Sequence, residues 1–97
     1  MAAVVYSGRA LEDIERAFRF LLAENPEAAP DAVEAIQSAI EHLSKHPLLG
    51  RRVEGEIREL VISYGKTGYV ALYRFVVPVD EIRVLAIRHQ REIGYRP

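Results

Sequence analysis

The chain has 97 residues and 49% of them are hydrophobic, which is enough for one domain with a single core. It contains no cysteine, so disulfides and thiolate metal sites are excluded. No apolar run approaches the roughly 20 residues that span a bilayer, and the N-terminus lacks the basic and apolar regions of a signal peptide. These features predict a cytoplasmic domain with no membrane association.

Charge is unevenly distributed along the chain. Residues 1–50 carry eight acidic and four basic residues, whereas residues 51–97 carry six acidic and nine basic residues. Two interpretations are open: solvated acidic helix faces beside a mildly basic sheet, or a functional basic surface on that sheet.

The first elements predicted are a short strand and an amphipathic helix. Val4-Val5-Tyr6 predicts the strand, Ser7 is a candidate helix cap, and Asn25-Pro26 ends the helix. Apolar residues recur at helical spacing and predict the buried stripe: Leu11, Ile14, Ala17, Phe18, Leu21 and Leu22. Charged residues predict the exposed face: Glu12, Asp13, Glu15, Arg16 and Arg19.

A second helix follows, with its own apolar stripe of Ala29, Val33, Ile36, Ile40 and Leu43. Its start is open between Asn25-Pro26 and Pro30, and His46-Pro47 ends it. His42 and His46 lie four residues apart and are interpreted as a surface pair, so no metal site is predicted. The next segment, Pro47-Leu48-Leu49-Gly50-Arg51-Arg52, is either an apolar plug with solvated arginines or part of an anion-binding rim.

Three strands are predicted in the second half, over residues 58–64, 69–77 and 82–89, with turns at 65–68 and 78–80. The fold class is therefore α+β: an N-terminal strand, a two-helix hairpin and an antiparallel three-strand meander. The helix hairpin is expected to pack on one face of an antiparallel sheet of about four strands. All 97 residues form one domain. The predicted core is Leu11, Phe18, Leu22, Val33, Ile36, Ile40, Leu60, Ile62, Leu72, Val84 and Ile87.

The last predicted strand ends in Arg88-His89-Gln90-Arg91-Glu92 instead of in turn residues. This places cations and an imidazole at the rim of a rigid sheet and predicts a recognition surface. Earlier strand arginines, such as Arg58, Arg74 and Arg83, are interpreted as cross-strand partners of Glu59 or Glu81. Tyr69 and Tyr73 share a strand face with Phe75, which favours core packing for both. No nucleotide-binding loop or nucleophile motif is present.

Several short strings, in this order, resemble the RelE/ParE family of bacterial toxins. They are Tyr6-Ser7 with Ala10 and Asp13, Asn25-Pro26 with Ala28-Ala29, Leu43 with His46-Pro47 and Gly50-Arg51, Arg58-Glu59-Leu60, Gly68-Tyr69-Val70, Leu72-Tyr73-Arg74, and residues 88–92. The resemblance covers nearly the whole chain. It implies a toxin of a type II toxin–antitoxin pair that forms a hetero-oligomer with a ParD-like or similar antitoxin, with no cofactor.

The family has two activities, and the chain is more similar to the branch that inhibits DNA gyrase. RelE-like members cleave ribosome-bound mRNA, which requires cations for the phosphate and groups that move protons. Here residues 51–62 contain no lysine, the Gly65 turn replaces an expected arginine, and Gln90 stands where a catalytic arginine is expected. The resemblance therefore implies a gyrase inhibitor with no catalytic residue and no sequence-specific nucleic-acid binding.

The target-binding residues implied by this branch are Arg88, His89, Arg91, Tyr95 and Arg96. The first alternative is an mRNA endoribonuclease, whose catalysis would rest on Arg58, Arg88, His89 and Tyr95. The second is an inactive module that keeps the fold and binds only the antitoxin.

Overall fold

The computed structural model describes residues 1–65 and 67–90. The elements in chain order are β1 (Ala3–Tyr6), α1 (Gly8–Glu24), α2 (Ala28–Glu41), β2 (Arg51–Glu54), β3 (Ile57–Tyr64), β4 (Thr67–Val76) and β5 (Glu81–His89). Single 3-10 turns follow α2 and β4, at His42–Ser44 and Val77–Val79. The strands form one sheet in the order β1-β5-β4-β3-β2, in which β1 is parallel to β5 and the other pairs are antiparallel. The predicted α+β class is confirmed, but the prediction of an antiparallel sheet of about four strands was wrong, because the sheet has five strands and β1 is parallel to β5.

Helix α1 begins as predicted, because the Ser7 hydroxyl accepts a hydrogen bond from the backbone N–H of Ala10 at 3.0 Å. Its buried side is rotated from the predicted stripe, since Ala10 and Asp13 are buried with Ile14, Ala17 and Leu21 packed beside them. Leu11 and Leu22 were predicted in the core but are 55% and 44% exposed. The placement of both residues was therefore wrong, as was the exposed placement of Asp13.

Helix α2 begins at Ala28, between the two predicted starts. Pro30 lies in its first turn, where a backbone N–H has no helical partner, so the proline removes no hydrogen bond. The helix buries Ala29, Ala32, Ile36 and Ile40, and Leu43 continues this side into the 3-10 turn. His42 and His46 are exposed beyond the end of the helix, in agreement with the predicted surface pair.

Four strands, not three, follow the helices within residues 1–65 and 67–90. The additional strand is β2, which pairs with β3 and brings Arg51 opposite Glu59. All four β2 residues are exposed, so their sequence lacks the alternation of apolar and polar residues that predicts a half-buried strand. The other three strands lie within two residues of the predicted ranges.

The helices cover one face of the sheet, called here the helix side, and the opposite face is called the outer face. The core contains the buried members of the predicted set: Ile36, Ile40, Leu60, Ile62, Val84 and Ile87. Phe18, Val33 and Leu72 are only half-buried, and Leu72 lies on the outer face because it neighbours Ala71 and Tyr73, whose side chains point to the core. The predicted core packing of Tyr69 and Tyr73 is confirmed.

A β-bulge in β5 decides which of its side chains face the helices. Tyr73 pairs with Val84 but Leu72 pairs with Ala86, so Leu85 is an extra residue on β5. The inward positions therefore change from Val84 to Ile87 instead of continuing to Ala86. No helix in the part of the chain described is both long and apolar enough to cross a membrane.

Candidate target- and partner-binding surfaces

The end of β5 carries the first two predicted target-binding residues. Arg88 pairs with Val70 and His89 pairs with Tyr69 across the β4–β5 ladder. Because successive strand residues point to opposite faces, Arg88 lies on the outer face and His89 on the helix side. Both side chains are half-buried. The structure thus fixes both residues on one strand end but directs them to different faces of the sheet.

His89 is held by an aromatic contact at this strand end. Its ring lies edge-on to the ring of Tyr69, with centroids 5.3 Å apart. Tyr69 is buried, and burial, together with the nearby Tyr64, raises the pKa of its hydroxyl above the ordinary value. The neutral phenol therefore provides a rigid packing surface for the imidazole. Arg91, Tyr95 and Arg96, the other predicted target-binding residues, lie outside the residues that the structure describes.

Ser7, the cap of α1, and Asp13 within α1 bind the edge of β5 where the pairing with β1 has ended. The Ser7 hydroxyl donates to the Leu85 carbonyl at 3.0 Å, and the Asp13 carboxylate accepts from the Ile87 backbone N–H at 2.9 Å. The second Asp13 oxygen pairs with Arg16. Asp13 is only 6% exposed. Its carboxylate accepts the hydrogen bond that a neighbouring strand would otherwise accept from Ile87, the residue just before Arg88.

Three arginines on the outer face of the sheet, Arg51, Arg74 and Arg83, have carboxylate neighbours. Arg51 contacts Glu59 at 2.8 Å across the β2–β3 pair. The predicted cross-strand pairing of Arg58, Arg74 and Arg83 with Glu59 or Glu81 was wrong, because Arg51 occupies Glu59 and Arg83 lies on the same strand as Glu81. Arg74 and Arg83 are directly opposed on β4 and β5, which is unfavourable for like charges. Arg83 lies 3.1 Å from Glu81, and Arg74 lies 3.5 Å from Glu56. These pairs offset the repulsion and leave less charge on this face for an external phosphate.

Arg58 was predicted for the nuclease alternative, but its guanidinium has a structural role. It lies on the helix side opposite Tyr73, and it donates to the carbonyl of Gly50 at 2.8 Å. Arg88 lies on the outer face, so Arg58 and Arg88 are separated by the sheet. The structure does not bring these two predicted catalytic arginines together.

The apolar residues that are exposed outside the core include two groups with a clear location in the fold. The first is the flank of α1 formed by Leu11, Phe18 and Leu22, which recur at helical spacing on one side of the helix. The second is the loop 47–50, where Leu48 and Leu49 both project into solvent. Within residues 1–65 and 67–90, no group of three or more His, Cys, Asp or Glu side chains is placed to hold a metal ion. These surfaces are suited to protein binding.

Comparison with known proteins decides the family. The family model for the ParE toxin of the type II toxin–antitoxin system parDE matches residues 4–94. The chain belongs to this family of type II toxins. Toxin RelE3 of Caulobacter vibrioides is 41% identical over 92 residues, which cover 95% of this chain and 98% of the relative.

Solved structures of toxin–antitoxin systems share the fold. The chromosomal ParDE system of P. aeruginosa matches with a TM-score of 0.76 at 22% identity, covering 92% of this chain and 96% of the other. The intact RelBE toxin–antitoxin complex of E. coli matches with a TM-score of 0.64 at 11% identity, covering 91% and 95% of the two chains. The RelE/ParE fold predicted from the sequence is therefore confirmed, and the chain is a type II toxin of this family.

Proposed function

We propose that this toxin inhibits DNA gyrase and that a cognate antitoxin neutralises it. The observation that carries the proposal is the separation of Arg58 from Arg88 by the sheet, with Arg58 engaged by a backbone carbonyl. RNA cleavage needs several charged groups around one phosphate, whereas binding needs only a rigid, complementary surface. The arrangement favours a protein inhibitor over a nuclease, and its action on gyrase requires a cytoplasmic location.

The proposed gyrase-binding surface is the end of β5 and the residues that follow it. Arg88 projects from the outer face of β5. This strand pairs with β4 on one side, and on the other side Asp13 accepts a hydrogen bond from Ile87, the residue before Arg88. Arginine and tyrosine are common interface anchors, because each combines a large contact area with hydrogen bonding. Arg91, Tyr95 and Arg96 complete the proposed surface.

Purified toxin is expected to block DNA supercoiling by purified gyrase. Arg88→Gln is expected to weaken inhibition by about tenfold or more, as loss of an anchor at a hot spot does. The exposed Arg9→Gln on α1 is the matched control, and we expect it to inhibit like the wild type. Unchanged supercoiling and no trapped DNA cleavage with the wild-type toxin, together with arrest of translation in a cell extract, would refute the gyrase proposal.

The alternative function is cleavage of ribosome-bound mRNA. It is favoured by the relative at 41% identity, which bears a RelE name, and by the fixed imidazole of His89 near the strand end. Mapping transcript ends after induction tests it: new cuts that disappear in His89→Ala and Tyr95→Phe would establish the nuclease. If the chain is instead an inactive module, its induction is expected to have no effect on growth.

The antitoxin is proposed to bind the exposed flank of α1 formed by Leu11, Phe18 and Leu22. The two solved structures described above come from toxin–antitoxin systems, and an apolar helix flank suits an amphipathic partner segment. Apolar residues of the antitoxin would cover the leucines, which the toxin alone leaves in solvent. This accounts for two leucines at helical spacing that the core does not use.

The double variant Leu11→Ser and Leu22→Ser is expected to bind the antitoxin about tenfold more weakly or worse, since it removes two apolar anchors. Phe20→Ser, on the opposite side of α1, is the control and is expected to bind normally, because Phe20 is exposed away from this flank. Isothermal titration calorimetry with the purified antitoxin measures both. Equal affinity for the double variant and the wild type would exclude this flank from the interface.

A further inference from the structure

The loop 47–50 carries two neighbouring leucines that contribute nothing to the core. Leu48 and Leu49 are 62% and 59% exposed, and neither belongs to the buried apolar cluster. Single exposed leucines are ordinary on protein surfaces, but two adjacent ones on a connecting loop form a continuous apolar projection. Exposed Arg51 and Arg52 follow directly at the start of β2. The loop thus presents exposed apolar side chains, and exposed cationic side chains follow them in the chain.

The backbone of this loop is held in one conformation by side chains that lie beneath it. The Tyr73 hydroxyl donates to the Pro47 carbonyl at 2.8 Å and accepts from the Gly50 N–H at 2.8 Å. Arg58 donates to the Gly50 carbonyl at 2.8 Å and to the Leu48 carbonyl at 3.4 Å. Tyr73 is fully buried, and burial raises the pKa of its hydroxyl, so the phenol keeps the proton that it donates.

Gly50 shows how closely the loop is packed onto the sheet. A Cβ at this position would lie 2.7 Å from the Glu59 backbone oxygen and 2.7 Å from the Tyr73 ring. Only glycine lets the backbone approach the sheet this closely. Tyr73, Arg58 and Gly50 therefore fix the conformation of a loop whose own leucine side chains face solvent.

Fixing exposed apolar side chains in advance has a clear physical consequence for binding. A partner that buries Leu48 and Leu49 does not have to order the loop, so less conformational entropy is lost on association. The core derives no benefit from the leucines themselves, since they are outside it. The rigidity would therefore lower the entropic cost of a contact between these leucines and another molecule.

The flanking charges indicate the chemistry of that molecule. The Arg51 side chain is 77% exposed, although it also contacts Glu59. Arg52, the next residue, is exposed on the opposite face of β2, so the two cations flank the strand that follows the loop. Exposed leucines followed by arginines are complementary to an apolar pocket that is bordered by carboxylates on a partner protein. A nucleic acid would use the arginines for its phosphates and would have no use for the leucines.

We propose that the loop 47–50, with Arg51 and Arg52, is a second target-binding surface of the toxin. Leu48 and Leu49 enter an apolar pocket on the target protein, and the arginines pair with carboxylates at its rim. The surface leads into β2, at the opposite edge of the sheet from β1, and it shares no residue with the α1 flank proposed for the antitoxin. The proposal rests on the proposed function in one respect, namely that the target is a protein.

The test compares three toxin variants for growth arrest on induction, for binding to immobilised purified gyrase and for binding to the antitoxin. Leu48→Ser with Leu49→Ser is expected to abolish growth arrest and to weaken gyrase binding at least about tenfold. Its thermal unfolding and antitoxin affinity are expected to stay close to wild type, because the leucines are exposed. The matched control is Val77→Ser with Val79→Ser, two exposed valines on the turn after β4, and it is expected to retain every activity.

The third variant, Arg51→Gln with Arg52→Gln, separates a protein target from a nucleic acid. Loss of growth arrest in both the leucine and the arginine variants supports the proposal. Loss in the arginine variant alone overturns it in favour of phosphate binding, and full toxicity of the leucine variant overturns it outright. If the wild type arrests growth without binding gyrase, the gyrase proposal fails, and the growth arrest of the variants alone tests the role of the loop. If the wild type does not arrest growth, both proposals are overturned.

Discussion

Replacing Ile36 with alanine is expected to lower the free energy of unfolding by about 2–5 kcal/mol. Ile36 has 0% exposure and lies in the middle of the buried side of α2. Truncation removes apolar surface that is fully withdrawn from water and leaves a cavity, which packed helices and strands fill only in part. Denaturant unfolding with an unchanged m-value measures the loss.

Phe18→Ala is the matched comparison, because the sequence assigned Phe18 and Ile36 equally to the core. Phe18 is only half-buried at the flank of α1, so we expect a smaller loss of about 1–2 kcal/mol. A change below about 0.5 kcal/mol for Ile36→Ala, or a larger loss for Phe18 than for Ile36, would show that the two helices are rotated differently on the sheet.

The difference between these two residues shows how far helical periodicity predicts burial. The Ser7 cap and the presence of α1 followed from the sequence, but the rotation of the helix did not. The predicted buried stripe of α1 contains Leu11 and Leu22, whereas the residues of the helix that are buried are Ala10 and Asp13. Hydrophobicity ranks leucine above alanine and excludes aspartate, so it cannot reveal a helix that packs through a small residue and a hydrogen-bonded carboxylate.

Strand β2 was missed for a different reason. Its four residues are exposed on both faces, and a bulge lies between Arg52 and Glu54. Short, charged and bulged strands are typical of sheet edges, where they prevent pairing with other chains. Such a strand is defined by its pairing with β3, which depends on tertiary structure and leaves no local alternation in the sequence.

The recognition surface at the end of β5 was predicted only in outline. The sequence indicated correctly that the last strand ends in Arg88 and His89. Unbroken alternation from Val84 would direct Arg88 to the helix side, but the extra residue Leu85 reverses the two faces. The position of a bulge depends on cross-strand packing and on the hydrogen bonds that Ser7 and Asp13 make with β5, so it could not be predicted from β5 alone.

Asp13→Ala is expected to lower the free energy of unfolding by about 1–3 kcal/mol, because it leaves the buried Ile87 N–H without its acceptor. Asp13→Asn is expected to lose less, since its amide oxygen still accepts this hydrogen bond. Glu12→Ala, at an exposed acidic residue beside it, is the control and is expected to change stability little.

The same variants test whether Asp13 positions the strand end that carries Arg88. Hydrogen exchange of the Ile87 amide is expected to accelerate in Asp13→Ala more than at the Ile62 amide of β3, and to stay slow in Asp13→Asn. Inhibition of gyrase should then fall in Asp13→Ala and be restored in Asp13→Asn, since Arg88 follows Ile87 directly. Equal exchange of the Ile87 amide in all three proteins would contradict this role, because a carboxylate that does not protect the amide cannot fix the strand that presents Arg88 to its target.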